Sequence, residues 1–153
     1  MGFRGFEEIE VWQEARKFTR LVRAFCNRAI SKKDWAWADQ ISRAALSIMA
    51  NIAEGNDAQT NTEFIQFLGY AKRSAAETRS HLYYGFDEGY CSQQEFDQAL
   101  ELSRKIASQL AKLIDYLRAH PHKYRKDISC NVPTCNVQQI HAHLPSRNSI
   151  PKP

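Results

Sequence analysis

The stretch at residues 40–55, QISRAALSIMANIAEG, decides the fold. Four of its apolar residues recur at intervals of four, three and four, which places side chains on one stripe of an α-helix. They are Ile41, Ala45, Ile48 and Ile52. Gly55 follows the last of them, where a helix commonly ends in a left-handed residue. The pattern therefore predicts a helix over residues 35–54 that turns one apolar face to the core.

The opposite side of this helix is unusually apolar. Leu46, Ala50 and Ala53 lie there, mixed with polar and charged side chains. A helix that is apolar most of the way round is usually covered on more than one side. The first stripe can face the core of its own domain, so the second predicts an interface with another molecule. A second copy of the chain is the simplest partner.

Helical spacing also predicts helices over about residues 9–27, 61–88 and 93–120. Asp34 is a candidate cap for the second helix, and Gly89 follows the third. The sequences at 60–63 and 92–95 each fit a capping box at a helix start. Four long amphipathic helices with short connections predict an all-α, antiparallel, up-down-up-down four-helix bundle.

The composition changes sharply after residue 120. All five prolines lie beyond it, and all six glycines lie before it. Residues 1–120 contain equal numbers of basic and acidic side chains, so the whole net charge of +4 comes from the tail. We therefore predict one bundle domain at 1–120 and a basic, poorly structured tail at 121–153. The basic isoelectric point is accordingly no evidence that the folded body binds polyanions.

Three blocks carry a family resemblance, namely EVWQ at 10–13, the 40–55 stretch and EFIQFLGYA at 63–71. They resemble the bacterial four-helix-bundle proteins encoded in intervening sequences of large-subunit ribosomal RNA. The resemblance implies a left-handed bundle in a ring-shaped homo-oligomer, with a pentamer favoured. Similar folds occur in the pentameric accessory proteins of diversity-generating retroelements. Those use a basic surface to engage a reverse transcriptase and nucleic acid.

Two positions depart from the family pattern. Ser42 stands where the family usually has a second arginine before Arg43, which weakens the transfer of an anion site to Arg43. Met49 stands where the family usually has proline. A mid-helix proline removes a backbone donor, so its absence predicts a straighter second helix.

Candidate nucleic-acid contacts are the basic residues of helices 1 and 3, together with Arg43. Residues 16–33 hold seven Lys or Arg and no acid. A ring of copies would multiply this patch, although a basic helix face is equally what solvation alone requires. The candidates are Arg16, Lys17, Arg20, Arg23, Arg43, Lys72 and Arg73.

Three tyrosines lie off the predicted core stripe of helix 3, namely Tyr70, Tyr83 and Tyr84. They could stack on bases, but we favour a subunit interface for them, together with Leu46, Ala50 and Ala53.

Catalytic and metal motifs are lacking. No nucleophile elbow, Ser-x-x-Lys on a suitable loop or glycine-rich phosphate loop occurs, so no enzyme activity, catalytic residue or cofactor is expected. Four zinc-type ligands in the tail lack the usual finger spacing, and an unstructured tail is favoured over a metal site. They are Cys130, Cys135, His141 and His143.

The scattered cysteines fit a reducing compartment, and the N-terminus has no apolar run long enough for a signal peptide or membrane span. A cytoplasmic protein without a membrane role is therefore predicted. Two functions remain open. The first is a non-catalytic homo-oligomer that binds RNA, DNA or a nucleic-acid enzyme such as a reverse transcriptase. The second is a scaffold that binds only protein.

Overall fold

Four α-helices follow one another along the part of the chain that the structure describes. The computed structural model describes residues 5–120. A short 3-10 helix at Phe6–Glu8 precedes the four α-helices, and no strand occurs within that range. The α-helices are α1 at Glu10–Ser31, α2 at Trp35–Asp57, α3 at Asn61–Asp87 and α4 at Gln93–Ala119.

Side-chain caps fix where three of these helices begin. The Asp34 carboxylate accepts a hydrogen bond from the Trp37 backbone N–H at the start of α2 (3.1 Å). Thr60 begins α3 and Ser92 begins α4, each in a complete capping box. The caps confirm the starts read from the sequence, because each satisfies backbone donors that a helix N-terminus leaves without partners.

The helices pack as an antiparallel bundle with short connections. Each helix packs against the next, and α1 closes the bundle against α4. Since α1 and α3 share the neighbours α2 and α4, they are diagonal to each other. This arrangement confirms the predicted four-helix bundle, and α2 runs unbroken through Met49.

The core consists of the predicted stripes with small shifts. All four residues of the α2 stripe are fully buried, as are Phe18 and Phe25 of α1. On α4, Leu110, Ile114 and Leu117 are buried, whereas Leu113 is only partly covered.

The prediction that Gly55 ends the second helix is wrong. It lies inside α2, is buried and has no positive φ. A Cβ on Gly55 would lie 2.6 Å from a ring carbon of Phe64 and 2.9 Å from Cβ of Phe67. The glycine is therefore needed for close packing of α2 against α3, and α2 continues for two further residues to Asp57.

The other glycines divide by role. Gly89 has φ of 68° directly after the end of α3, as its position predicts. A Cβ on Gly85 would overlap the indole of Trp37, whereas a Cβ on Gly69 would meet no atom within 4 Å. Of the two helix-3 glycines, only Gly85 therefore permits a close approach. The predicted tail and its four candidate metal ligands lie outside the described residues.

Candidate nucleic-acid interface

Three arginines of α1 face solvent on the side away from the buried stripe. Arg16, Arg20 and Arg23 are exposed, at intervals of four and three residues along the helix. Within residues 5–120, none of the three forms an ion pair with a carboxylate. We call these three residues the α1 basic face. Their positive charge is available to a polyanion at no cost in broken salt bridges.

Lys17 belongs to a different environment. Its ammonium lies 2.9 Å from the Glu14 carboxylate, and Lys105 of α4 lies 3.4 Å from the other Glu14 oxygen. The Glu14 side chain is only 10% exposed. The hydrogen bond from Lys17, with Lys105 beside it, holds the pKa of Glu14 below its usual value despite burial. Lys17 therefore compensates a buried carboxylate between α1 and α4.

Two basic residues near the end of α1, Arg28 and Lys32, also make contacts within the chain. The Arg28 guanidinium donates to both Glu95 carboxylate oxygens, at 2.8 and 2.7 Å, and to the Tyr90 carbonyl at 3.0 Å. The Lys32 ammonium donates to the Glu88 carbonyl at 2.8 Å. Within the acid-free run, Arg28 and Lys32 thus hold the end of the bundle together, and Lys17 pairs with Glu14. The α1 basic face has no such partner within residues 5–120.

Two cavities flank the α1 basic face. The first, the Trp12 groove, measures about 400 Å³ and is lined by Glu7, Trp12, Gln13, Arg16, Lys17 and Arg20. The second, the Leu46 groove, measures about 230 Å³ and is lined by Thr19, Arg20, Val22, Arg23, Ser42 and Leu46. Arg20 lines both, so the two grooves are neighbours along α1.

The remaining nucleic-acid candidates lie elsewhere. The Arg43 guanidinium pairs with Asp39 at 2.8 Å on the exposed side of α2. Lys72 and Arg73 are exposed on α3, the helix diagonal to α1, and Arg73 lies 4.9 Å over the Tyr70 ring. A single chain therefore does not join the basic residues of α3 to the α1 basic face.

The candidate interface residues are spread over several sides of the bundle. Leu46 is 53% exposed and lines the groove beside α1. Ala50 is exposed, Ala53 is half-buried, and Tyr70 is exposed on α3. The exposed rings of Tyr83 and Tyr84 diverge, since the first contacts Phe96 of α4 (centroids 5.2 Å apart) and the second approaches Trp37 of α2 (6.2 Å). The six residues do not form one continuous patch on one chain.

A polar seam between α2 and α3 was missed in the sequence. The Asn51 side chain donates to the Ser47 carbonyl at 2.7 Å and to the Ser47 hydroxyl at 3.0 Å. The Ser74 hydroxyl donates to the same Ser47 oxygen at 2.9 Å. The available signal was the spacing of a serine and an asparagine four residues apart within an apolar helix. These motif residues therefore join two helices rather than face a ligand.

The described part of the chain contains no candidate metal site. Among residues 5–120, no three His, Cys, Asp or Glu side chains cluster as metal ligands would. Cys26 and Cys91 are buried, and burial raises the pKa of each thiol, which disfavours the reactive thiolate. None of the helices at 5–120 is both long and apolar enough to cross a membrane.

The sequence pattern of one protein family, described as 23S rRNA-intervening sequence protein, matches residues 7–112. The chain belongs to this family. It is also similar to a crystal structure from Bacteroides thetaiotaomicron VPI-5482, described as a protein with unknown function from the S23 ribosomal protein family. The identity is 27%, the TM-score is 0.63, and the match covers 69% of this chain and 95% of that chain. No curated protein matches the chain.

These similarities confirm the family resemblance read from the three sequence blocks, and they extend over the described bundle. The solved relative from the S23 ribosomal protein family is described as a protein with unknown function. Family membership therefore gives the fold of this chain, while its function has to be argued from the surface of the bundle.

Proposed function

We propose that this 23S rRNA-intervening sequence protein is a non-catalytic bundle that binds structured RNA through the α1 basic face of a homo-oligomer. One observation carries the proposal: Arg16, Arg20 and Arg23 are exposed and have no ion pair within residues 5–120, while Lys17, Arg28 and Lys32 beside them have partners within the chain. These three arginines offer a polyanion a positive surface without the loss of an ion pair.

Arginine suits this role because its planar guanidinium donates two parallel hydrogen bonds to a phosphate. Each phosphate contact releases condensed counterions, so binding through this face has to weaken as salt rises. Three arginines on one chain make a weak site. Several copies in one particle would present many such sites to one RNA and raise the avidity.

Self-assembly is part of the same proposal. A leucine that is 53% exposed, next to Ala50 and Ala53 on α2, offers an apolar surface for a second copy. The proposed particle is a ring, with five copies favoured by the family resemblance. In such a ring the basic residues of α3 can approach the α1 basic face of a neighbouring copy, which a single chain does not allow.

The experiment measures binding of a hairpin RNA over a series of salt concentrations. The test variant carries Arg16→Ala, Arg20→Ala and Arg23→Ala. The control carries Arg104→Ala, Lys112→Ala and Arg118→Ala, which removes the same charge from exposed positions of α4. Affinity falls as salt rises, and we expect the test variant to make the slope of log affinity against log salt shallower by about 2 to 3. The control should leave the slope near the native value.

A third variant, Lys72→Ala with Arg73→Ala, tests whether the basic residues of α3 contribute to RNA binding in the assembled particle. Light scattering of the native protein gives the mass of the particle. The proposal fails if hairpin RNA does not bind at low salt, if its affinity ignores salt, or if the α4 control loses as much binding as the α1 variant. A stable single chain in light scattering would remove the oligomer from the proposal.

A second function, a scaffold that binds only protein, is favoured by the exposure of Leu46 in its groove. Its partner could itself be a nucleic-acid enzyme such as a reverse transcriptase. Capture of one defined partner that survives nuclease and high salt, and that Leu46→Ser abolishes, would favour the scaffold over RNA binding.

A further inference from the structure

The Trp12 groove combines an aromatic side chain with positive charge. The indole of Trp12 is half-buried and lines the groove together with Arg16, Lys17 and Arg20. Gln13 braces the same wall, because its side-chain amide donates to the Glu7 carbonyl at 2.8 Å. The groove therefore has a defined wall next to the α1 basic face.

Packing alone does not explain this set of side chains. Trp12 packs against Phe6, with ring centroids 4.8 Å apart, and against the buried core, and these contacts account for the partial burial of the indole. They do not account for two unpaired arginines beside the ring. An aromatic surface next to free guanidinium groups is the combination by which proteins hold an unpaired base and its phosphate.

The charges give the groove a direction. Among the described residues that line it, Glu7 is the one carboxylate and repels phosphate, whereas Arg16 and Arg20 attract it. Trp12, Arg16 and Arg20 follow one another at intervals of four residues, and each interval is about 6 Å along a helix axis. A base stacked on Trp12 would thus have its phosphates led away from Glu7 and along the α1 basic face.

We propose that the Trp12 groove is a subsite for one unpaired nucleotide of an RNA, with the base on the indole and its phosphates on Arg16 and Arg20. The inference rests on the proposed RNA binding and adds a preference to it. A bulged RNA is bound more tightly than a fully paired one, because only the bulge supplies a base that can leave the helix stack.

The test uses two hairpin RNAs with the same stem, one fully paired and one with a single 5-iodouridine bulge. Four forms of the full chain are compared: native, Trp12→Leu, Trp12→Phe and the control Trp35→Leu, which removes a tryptophan that is 62% exposed on α2. Circular dichroism checks that each variant is folded. Ultraviolet crosslinking of the iodouridine, followed by peptide mapping, reports where the bulged base lies.

We expect the native chain to prefer the bulged hairpin and Trp12→Leu to reduce that preference about tenfold, since leucine keeps apolar bulk but has no ring for stacking. Trp12→Phe should keep much of the preference, and Trp35→Leu all of it. The salt slope should stay unchanged in every tryptophan variant, and the crosslink should map to the peptide that contains Trp12.

Three outcomes overturn the inference: equal binding of both hairpins by the native chain, equal effects of Trp12→Leu and Trp35→Leu, or a crosslink that maps elsewhere. If both hairpins bind equally and the arginines still set the salt slope, the subsite fails while the proposed function stands. If neither hairpin binds at low salt, both fail.

Discussion

Arg23 and Arg28 lie five residues apart on α1 and are used in opposite ways. Arg28 holds Glu95 with two hydrogen bonds and the Tyr90 carbonyl with a third. Arg23 is exposed and lacks an ion pair within residues 5–120. The first belongs to what we call the loop end, where the α1–α2 and α3–α4 connections meet, and the second to the α1 basic face.

The neighbouring connection makes the difference. At the loop end, α1 meets the chain between α3 and α4, so carbonyls and carboxylates from distant residues reach its cations. Nearer the start of α1, the outward side carries Arg16, Arg20 and Arg23, and no carboxylate within residues 5–120 forms an ion pair with them. Like residues therefore stabilise the fold at one place and remain free for a partner at the other. The following predictions test that separation, from the largest effect to the smallest.

Removal of the Trp37 side chain should have the largest effect. This indole is 7% exposed, packs against Tyr90 with centroids 4.9 Å apart, and donates its N–H to the His81 carbonyl at 3.1 Å. Trp37→Ala leaves a cavity and removes this hydrogen bond, so we expect the free energy of unfolding to fall by about 3 to 5 kcal/mol. The matched control Trp35→Ala, two residues away and exposed, should change it by less than about 0.5 kcal/mol.

Urea unfolding followed by circular dichroism would measure both variants. Equal losses of unfolding free energy for the two tryptophan variants would contradict the packing of Trp37 in the loop end.

Loss of the Arg28 side chain should have an intermediate effect on the free energy of unfolding. Arg28→Ala removes two charge-assisted hydrogen bonds and a third to a carbonyl, so we expect a loss of about 1 to 3 kcal/mol in the free energy of unfolding. Arg23→Ala, from the same helix, should cost less than about 0.5 kcal/mol, because no ion pair is broken. A larger loss of unfolding free energy in Arg23→Ala than in Arg28→Ala would contradict the different roles assigned to the two arginines.

The Arg28 contribution should also depend on pH. The hydrogen bond from Arg28, followed by those at the Ser92 cap, lowers the pKa of Glu95 to about 2 from 4.5. A carboxylate with a lowered pKa in the folded state stabilises the protein above its ordinary pKa, and this is lost as pH falls through 4.5 toward 2. The unfolding free energies of the native chain and of Arg28→Ala should therefore converge as pH falls over this range.

Tyr90 should give the smallest effect near neutral pH. Burial, followed by the hydrogen bond to Asp34 (2.8 Å), raises the pKa of Tyr90 to about 12 from 10. Tyr90→Phe removes one hydrogen bond and should cost about 1 kcal/mol. Because the folded state holds this proton more tightly, the stabilisation is present below pH 10 and is lost as pH rises from 10 to 12.

Alkaline unfolding curves check the Tyr90 prediction. Tyr90→Phe should flatten the fall in stability between pH 10 and 12, while Tyr116→Phe, at an exposed tyrosine of α4, should leave it unchanged. A steep fall that persists in Tyr90→Phe would assign the alkaline sensitivity to another group.

Local chemistry carried most of the fold prediction. The caps at Asp34, Thr60 and Ser92 are contacts within three residues, so their sequence signatures are nearly sufficient. The site was harder to predict. The partners of Arg28 and Lys32 lie more than fifty residues away in the chain, at Glu95 and Glu88, and no spacing rule connects them. The seven basic residues at 16–33 therefore looked alike in the sequence.

The sequence by itself determined the four helices, their starts and the stripe of each that turns to the core, because caps and periodicity act over a few residues. Only the tertiary structure decided that Gly55 packs against Phe64 rather than ending α2. It also decided that Arg28 pairs with Glu95 while the α1 basic face has no ion pair within residues 5–120. The physical reason is that helical period fixes which side of a helix faces inward. Which residues of the next helix lie beside it depends on the register of packing.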